Sequence, residues 1–155
     1  MARLLEELRD YMKVQLSVPF IYGQSDCSTW VASWIEHMTD VDPAASFRGC
    51  YTNEIGCAKF VKTNGGLIAA MDHYMIRSGV MYHADVPFHG DVAIVVVPIG
   101  NNDQVEVAAV RTRNGWAYKP ATGGLQVLNR ELTVLGLWRM RPSCFIRNST
   151  GRIAA

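Results

Sequence analysis

The chain has 155 residues, of which 49% are hydrophobic and 19% charged, and its formal net charge is +1. These values are typical of a single soluble domain with a buried core, and they argue against nucleic acid as the main partner. No apolar run has the length that a membrane span requires, and the first residues, MARLLEELRDYMK, lack the pattern of a secretory signal.

The first two predicted elements are helices separated by a short loop. Residues 3–16 place their apolar side chains on one face, which indicates an amphipathic helix. Pro19 and Gly23 then interrupt the chain, and Ser25 or Asp26 is suited to cap a second helix. Apolar residues continue at helical spacing in that helix: Trp30, Val31, Trp34, Ile35 and Met38.

Two further helices complete the first half. We expect the third helix to be capped by Thr52 and to stop at residues 64–65, and the fourth to end at Gly79. The following stretch, YHADVPFHGD at residues 82–91, has no helical or strand pattern and is interpreted as a loop.

The second half predicts an antiparallel sheet. DVAIVVVPIG is a β-branched run typical of a buried strand, and QVEVAAVR, WAYK, LQVL and LGLWRM are further short strands separated by turns. Helices followed by such strands predict an α+β fold, with the N-terminal helices packed on one face of the C-terminal sheet. We expect one domain at residues 1–146 and a loose C-terminal tail at residues 147–155.

Cys27 is the candidate nucleophile. It lies in the first turn of the second predicted helix, where backbone N–H groups and the helix dipole favour a thiolate. The thiolate is the form that attacks carbonyl groups, and the same N–H groups can stabilise an oxyanion. The alternative interpretation is a small buried thiol without chemistry.

Three motifs resemble one enzyme family. Residues 19–23 read PFIYG, Asp26-Cys27-Ser28 opens the second helix, and His89-Gly90-Asp91 precedes the first long strand. In this order they resemble the NlpC-like branch of the papain-like cysteine peptidases, many of which cut peptidoglycan stem peptides. The chain looks most similar to a compact branch common in phage and prophage genomes beside tail genes, on the stretches FRGCYTNEIGCAKFVKTNGGL and GGLQVLNRELTVLGLWRM.

The resemblance implies a papain-like fold and also reveals departures from an active site. Active members place a histidine base at the start of the second core strand, where this chain has Glu106 or a neighbour. The residue that orients the base is expected on the next strand, where WAYK offers only Tyr118 or Lys119. Thr29 replaces the usual glycine after the Asp-Cys-Ser motif.

Another histidine would have to act as the base. His37 is ~15 Å from Cys27 along the helix axis, and His73 is expected on the surface of the fourth helix. His83 and His89 lie in the predicted loop, and His89 is the better candidate because it directly precedes Gly90-Asp91.

Neither a metal nor a cofactor is expected. The four cysteines (Cys27, Cys50, Cys57 and Cys144) have spacings that do not suit a zinc or iron–sulfur site. They are interpreted as free thiols, with a Cys50–Cys57 pair as the alternative in an oxidising medium. Four arginines give the chain a basic end, which is usually a solvated surface, with docking on an acidic partner as the alternative: Arg139, Arg141, Arg147 and Arg152.

Two functions remain open from sequence. The first is a phage or prophage tail protein, associated with the tail tip or baseplate, whose NlpC-like hydrolase site is degenerate. It would contact other tail proteins and reside in the virion tail after a period in the host cytoplasm. The second is an active peptidase or amidase that cuts peptidoglycan, with Cys27 as nucleophile beside Asp26 and His89 as base, and Glu106 in the site.

Overall fold

A computed structural model describes residues 2–146, and within them four helices precede a sheet. The helices are α1 (Ala2–Gln15), α2 (Cys27–Thr39), α3 (Glu54–Thr63) and α4 (Leu67–Arg77). The strands are β1 (Met81–His83), β2 (Val92–Ile99), β3 (Asp103–Arg111), β4 (Trp116–Tyr118), β5 (Gln126–Leu128) and β6 (Thr133–Met140). A short 3-10 helix (Pro142–Cys144) follows. The predicted α+β class and the order of its elements are confirmed, whereas the predicted tail at residues 147–155 lies outside the described residues.

The sheet has six antiparallel strands in the order β1-β6-β2-β3-β4-β5. β2 is the β-branched run, and it lies between β6 and β3. Both of its faces are buried over most of its length, which agrees with its continuous apolar sequence. β1 corrects the prediction of an uninterrupted loop after the fourth helix. Its three residues pair with β6, with Met81 opposite Met140, and a strand that short carries no readable alternation.

The main core lies between the helices and one face of the sheet. α2 contributes its apolar stripe almost completely buried, with Trp34 and Ile35 fully inaccessible, and Trp138 from β6 packs in the same cluster. The opposite face of the sheet has its own smaller cluster, in which Ala93, Val95 and Trp116 are also inaccessible. α2 therefore lies at the centre of the fold, and its first residue is held rigidly against the sheet.

Side-chain hydrogen bonds identify the capping residues of the second and third helices. The third helix is capped by Asn53 rather than Thr52, since the Asn53 Oδ1 accepts the Gly56 N–H at 2.8 Å. The second helix is capped by Asp26 rather than Ser25, whose hydroxyl instead donates to the Pro19 carbonyl.

One of the arginines expected to be solvated is engaged in a buried ion pair. Arg139 donates from Nε and Nη2 to the two carboxylate oxygens of Asp91 at 2.9 and 2.8 Å, and Asp91 is only 2% exposed. Asp91 also accepts the Phe88 N–H. The aspartate of the Gly-Asp motif therefore fixes the entry of β2 against β6. Arg139 is paired with this aspartate and is not simply solvated, and the sequence does not reveal the pair because the two residues lie 48 positions apart.

Lys119 is a buried cation. It is 1% exposed, and its Nζ donates to the carbonyls of Gln15 and Val18 at the end of α1. Burial lowers the pKa of Lys119. Its ammonium group thus ties the end of α1 to β4.

Among the described residues, no helix has both the length and the apolar character needed to cross a bilayer.

Candidate functional site

Cys27 is the first residue of α2, and Asp26 before it is the N-cap. The Asp26 Oδ1 accepts the Thr29 N–H at 2.9 Å, and the Thr29 hydroxyl accepts the Asp26 N–H at 2.9 Å. This reciprocal capping box satisfies one amide of the helix start with a carboxylate. Thr29, at the position where the resemblance led us to expect a glycine, is therefore part of the cap.

The second carboxylate oxygen of Asp26 holds the preceding loop. Its Oδ2 accepts the Gly23 N–H at 2.9 Å and the Tyr51 hydroxyl at 2.7 Å. Gly23 has φ +80°, and a Cβ there would lie 2.2 Å from the Tyr51 carbonyl oxygen. The glycine of the PFIYG motif is thus required by both backbone conformation and space. Asp26, which is 3% exposed, joins the loop, α2 and the segment before α3.

A cavity of about 380 Å³ opens in front of Cys27. Six of its lining side chains are aromatic, with rings from the loop, from the segment before α3, and from α3 and α4: Phe20, Tyr22, Phe47, Tyr51, Phe60 and Tyr74. Its charged lining residues are Asp26, Glu54 and Glu106, and no cation lines it among the described residues. The cavity is an acidic pocket with aromatic walls, and the Cys27 sulfur lies on its surface.

The thiol of Cys27 is held in its neutral form. Burial raises its pKa to about 11, and the Asp26 carboxylate adds to the rise by repelling a thiolate. A backbone hydrogen bond with Ala108 and the Ser28 hydroxyl, 3.9 Å from the sulfur, act in the opposite direction without overcoming it. The expectation that a helix start favours the thiolate is therefore reversed at this position.

Glu106 lines the cavity from β3, the strand on which the resemblance places the base. It is exposed at the point where β3 leaves the core, two residues before Ala108, whose backbone contacts the Cys27 sulfur. The structure therefore brings Cys27, Asp26 and Glu106 to one cavity. The carboxylate that raises the pKa of the Cys27 thiol is Asp26.

The four histidines lie elsewhere. His37 contacts Glu7 at 3.0 Å, and His83, in β1, contacts Asp72. His73 is exposed on α4, as predicted, with its ring against Tyr74. His89 lies with its ring centroid 3.9 Å from that of Phe88 and lines a separate small cavity beside Asp91 and Arg139.

Sequence reasoning missed two groups of this site. Tyr51 donates to Asp26, and burial and that carboxylate raise the pKa of its hydroxyl. Cys57 on α3 lines the same cavity, and burial and Asp26 raise the pKa of its thiol as well. The spacing of Cys57, Phe60 and Val61 on one helix face was the available signal.

The cysteines are free thiols, and Cys57 is not bonded to Cys50. Cys50 is exposed, and its sulfur lies 3.8 Å from the Ser46 carbonyl oxygen. Within residues 2–146, no group of three or more histidine, cysteine or acidic side chains is arranged to hold a metal ion. The chemistry available at the cavity is that of two neutral thiols, three tyrosines and carboxylates.

Comparison with known proteins gives one family. Residues 2–140 match the model of the family described as Domain of unknown function (DUF6950). The chain belongs to the DUF6950 family. No curated protein and no solved structure matches it.

The DUF6950 match extends from α1 to the end of β6. It includes Cys27, Asp26, Glu106 and His89, and also the Asp91–Arg139 pair. The cavity, the cap and the ion pair are therefore all built within the DUF6950 domain.

Proposed function

We propose that the protein is a phage or prophage tail component, at the tail tip or baseplate, with an NlpC-like fold and a degenerate cysteine hydrolase site. The arrangement of α2 supports the papain-like part of this proposal. A helix that begins with the cysteine packs against β3 of an antiparallel sheet, as the resemblance implies for this family.

The observation that carries the proposal is the state of Cys27. Its thiol has a pKa of about 11, and the cavity in front of it presents Glu106 from the strand that carries the base histidine in active relatives. A cysteine without a partnered imidazole loses most of its nucleophilic advantage. The Asp26 carboxylate at the same cavity contributes to this raised pKa by repelling a thiolate.

The decisive experiment is a wall-cleavage assay. Purified protein and its Cys27→Ala variant are incubated with purified peptidoglycan, and soluble muropeptides are analysed by mass spectrometry. We expect wild type and variant to release the same background. If the wild type releases muropeptides and the Cys27→Ala variant does not, the protein is an active hydrolase and this proposal is wrong.

The tail assignment has a separate test. Tails purified from a phage or induced prophage that encodes the chain are analysed by quantitative mass spectrometry. We expect the protein in purified tails at a fixed ratio to the other tail proteins, which are its proposed partners. Before assembly, we expect it in the host cytoplasm. Particles that lack the protein, with the protein left in the unassembled fraction, would contradict the assignment.

The second candidate function is a peptidoglycan-cleaving cysteine peptidase or amidase. The observation that favours it is the position of Cys27, partly exposed at a helix start and facing a cavity of about 380 Å³. That function would need a proton acceptor, and His89 lines a different cavity from the one at Cys27. The muropeptide assay distinguishes the two functions.

A further inference from the structure

α1 carries more apolar surface than the core covers. One stripe at helical spacing is buried and consists of Leu4, Leu8 and Tyr11. A neighbouring stripe, also at helical spacing, is left partly or largely exposed and consists of Leu5, Met12 and Leu16. Leu16, which directly follows the last residue of α1, is 57% exposed. The second stripe is therefore only partly covered, since Met12 packs against the main core cluster whereas Leu16 is largely exposed.

This stripe forms one wall of an open groove of about 430 Å³. The other wall comes from the region of β5, where Leu125 and Val127 face α1, and from the turn between β3 and β4. Val127 is 39% exposed. The groove is thus an apolar channel between α1 and β5, which is the edge strand of the sheet, and it is open to solvent along one side.

The groove has a positive rim. Arg9 and Lys13 of α1 line it from one side and Arg113 from the other, and no carboxylate lines it within residues 2–146. Arg9 Nε lies 3.9 Å from a carboxylate oxygen of Asp10, but both side chains are about two-thirds exposed, at 65% and 68%. Such an exposed pair is weak and leaves Arg9 available to a stronger partner.

We propose that this groove binds a segment of a partner protein that is apolar along one side and carries carboxylates beside its apolar residues. The apolar walls would bury the partner's side chains, and the three cations would select acidic over basic segments. An open channel of this shape suits a chain segment better than a small ligand, because a small-molecule site encloses most of its ligand.

Charge excludes two other occupants. The chain's own residues 147–155 contain Arg147 and Arg152 and no acidic side chain, so they would bring positive charge into a positive groove. A second copy of the groove facing the first would oppose like charges in the same way. The groove shares no lining residue with the cavity at Cys27, so the inference stands independently of what that cavity does.

The test begins with a displayed library of random 12-residue peptides panned against the full chain. We expect enriched sequences to combine apolar residues at helical or alternating spacing with Asp or Glu. The most enriched peptide is then synthesised, and its affinity is measured by fluorescence anisotropy at low and high salt. Binding should weaken at high salt because charge pairs at the rim are screened.

Charge reversal locates the site. The double variant Arg9→Glu with Lys13→Glu should weaken the selected peptide by about tenfold or more. The matched control, Lys59→Glu with Lys62→Glu on α3, makes the same charge change at two exposed positions outside the groove and should change the affinity by less than about twofold. Circular dichroism and melting confirm that each variant is folded, and the single variant Arg113→Glu, in a turn, repeats the test from the opposite wall.

Four outcomes would overturn the proposal. They are no enrichment over a protein-free control, enrichment of peptides without acidic residues, equal loss of affinity in the two double variants, and sedimentation with phosphatidylglycerol vesicles in place of peptide binding. The last outcome would identify the groove as a membrane-surface site.

Discussion

Asp26 controls both the start of α2 and the protonation of Cys27. Its two carboxylate oxygens accept hydrogen bonds from the Gly23 and Thr29 amides and from the hydroxyls of Thr29 and Tyr51. The negative charge so fixed beside the sulfur helps to raise the thiol pKa to about 11. The same carboxylate therefore stabilises the fold and opposes thiolate formation.

Removing one donor to Asp26 should cost measurable stability. Tyr51→Phe deletes a charge-assisted hydrogen bond of 2.7 Å at a residue that is 5% exposed, and we expect it to lower the free energy of unfolding by about 1–2 kcal/mol. The control is Tyr74→Phe in the same aromatic cluster, since the Tyr74 hydroxyl has no hydrogen bond among the described residues. Urea unfolding measures both, and equal losses would refute the role given to this bond.

An imidazole placed at residue 106 should activate the Cys27 thiol. Glu106→His places a histidine in the cavity with Cys27, and an imidazolium there would stabilise the thiolate. We expect the pH midpoint of Cys27 alkylation to fall below the wild-type value. Asp103→His, an acid-to-histidine change on the same strand outside the cavity, should leave it unchanged. An unchanged midpoint in both variants would show that residue 106 is not the base position.

Among the helices and strands, the loop before α2 is the most constrained connection. Gly23 donates its N–H to Asp26 and accepts the Gly49 N–H through its carbonyl at 3.0 Å. Its positive φ and its approach to the Tyr51 carbonyl leave no room for a side chain. This loop fixes where α2 begins and therefore where the Cys27 sulfur points.

A pair of glycine substitutions separates space from backbone strain. Gly23 and Gly79 have nearly the same φ, +80° and +79°, but a Cβ at Gly79 would meet nothing within 4 Å. Gly79→Ala should cost about 1 kcal/mol from the left-handed conformation alone. Gly23→Ala should cost at least about 2 kcal/mol more because the loop must shift away from Tyr51. Thermal or urea unfolding compares them, and similar losses would contradict the close approach.

The elements that could be predicted from sequence are those with long patterns. Helical spacing identified α1 and α2, and the β-branched run identified β2, since each repeats over many residues. β1 was missed because three residues show no period. The cap of α3 was misplaced by one residue because Thr52 and Asn53 are both good caps, and only the bond from Gly56 distinguishes them.

Apart from Glu106, which the family resemblance had placed in the site, the candidate site was predictable only where it is local in sequence. Asp26, Cys27 and Gly23 belong to one short motif, and the structure brings them together as expected. Tyr51 reaches the cavity from the segment before α3 and Cys57 from α3 itself; the helical spacing around Cys57 marks an apolar face, but nothing local in sequence shows what that face meets. The raised pKa of the thiol depends on burial, and residue type and helix position do not reveal that burial.

For the chain as a whole, the ion pair between Asp91 and Arg139 joins the entry of β2 to β6 across 48 residues. The order in which β6 inserts beside β2 could not be read from sequence, because strand alternation does not specify neighbours. A buried aspartate with a bidentate arginine is one of the contacts that select this order.

Breaking this pair should destabilise the protein strongly. Arg139→Gln leaves the Asp91 carboxylate buried without its cation, and we expect a loss of about 2–3 kcal/mol in the free energy of unfolding. Glu131→Gln breaks the Arg111–Glu131 pair at its exposed end, and its unfolding midpoint should match the wild type within error. Equal midpoints for both variants would contradict the structural role of Arg139.

The Cys27 thiol lies where a nucleophile would lie, at the start of α2, but it is neutral. The most direct measurement is the pH dependence of iodoacetamide alkylation at Cys27, followed by peptide mass spectrometry, with the exposed Cys50 as internal reference. We predict a midpoint near pH 11, and at neutral pH slower alkylation of Cys27 than of Cys50. A midpoint at or below about pH 7, the range of activated cysteines, would show a primed nucleophile and contradict the account.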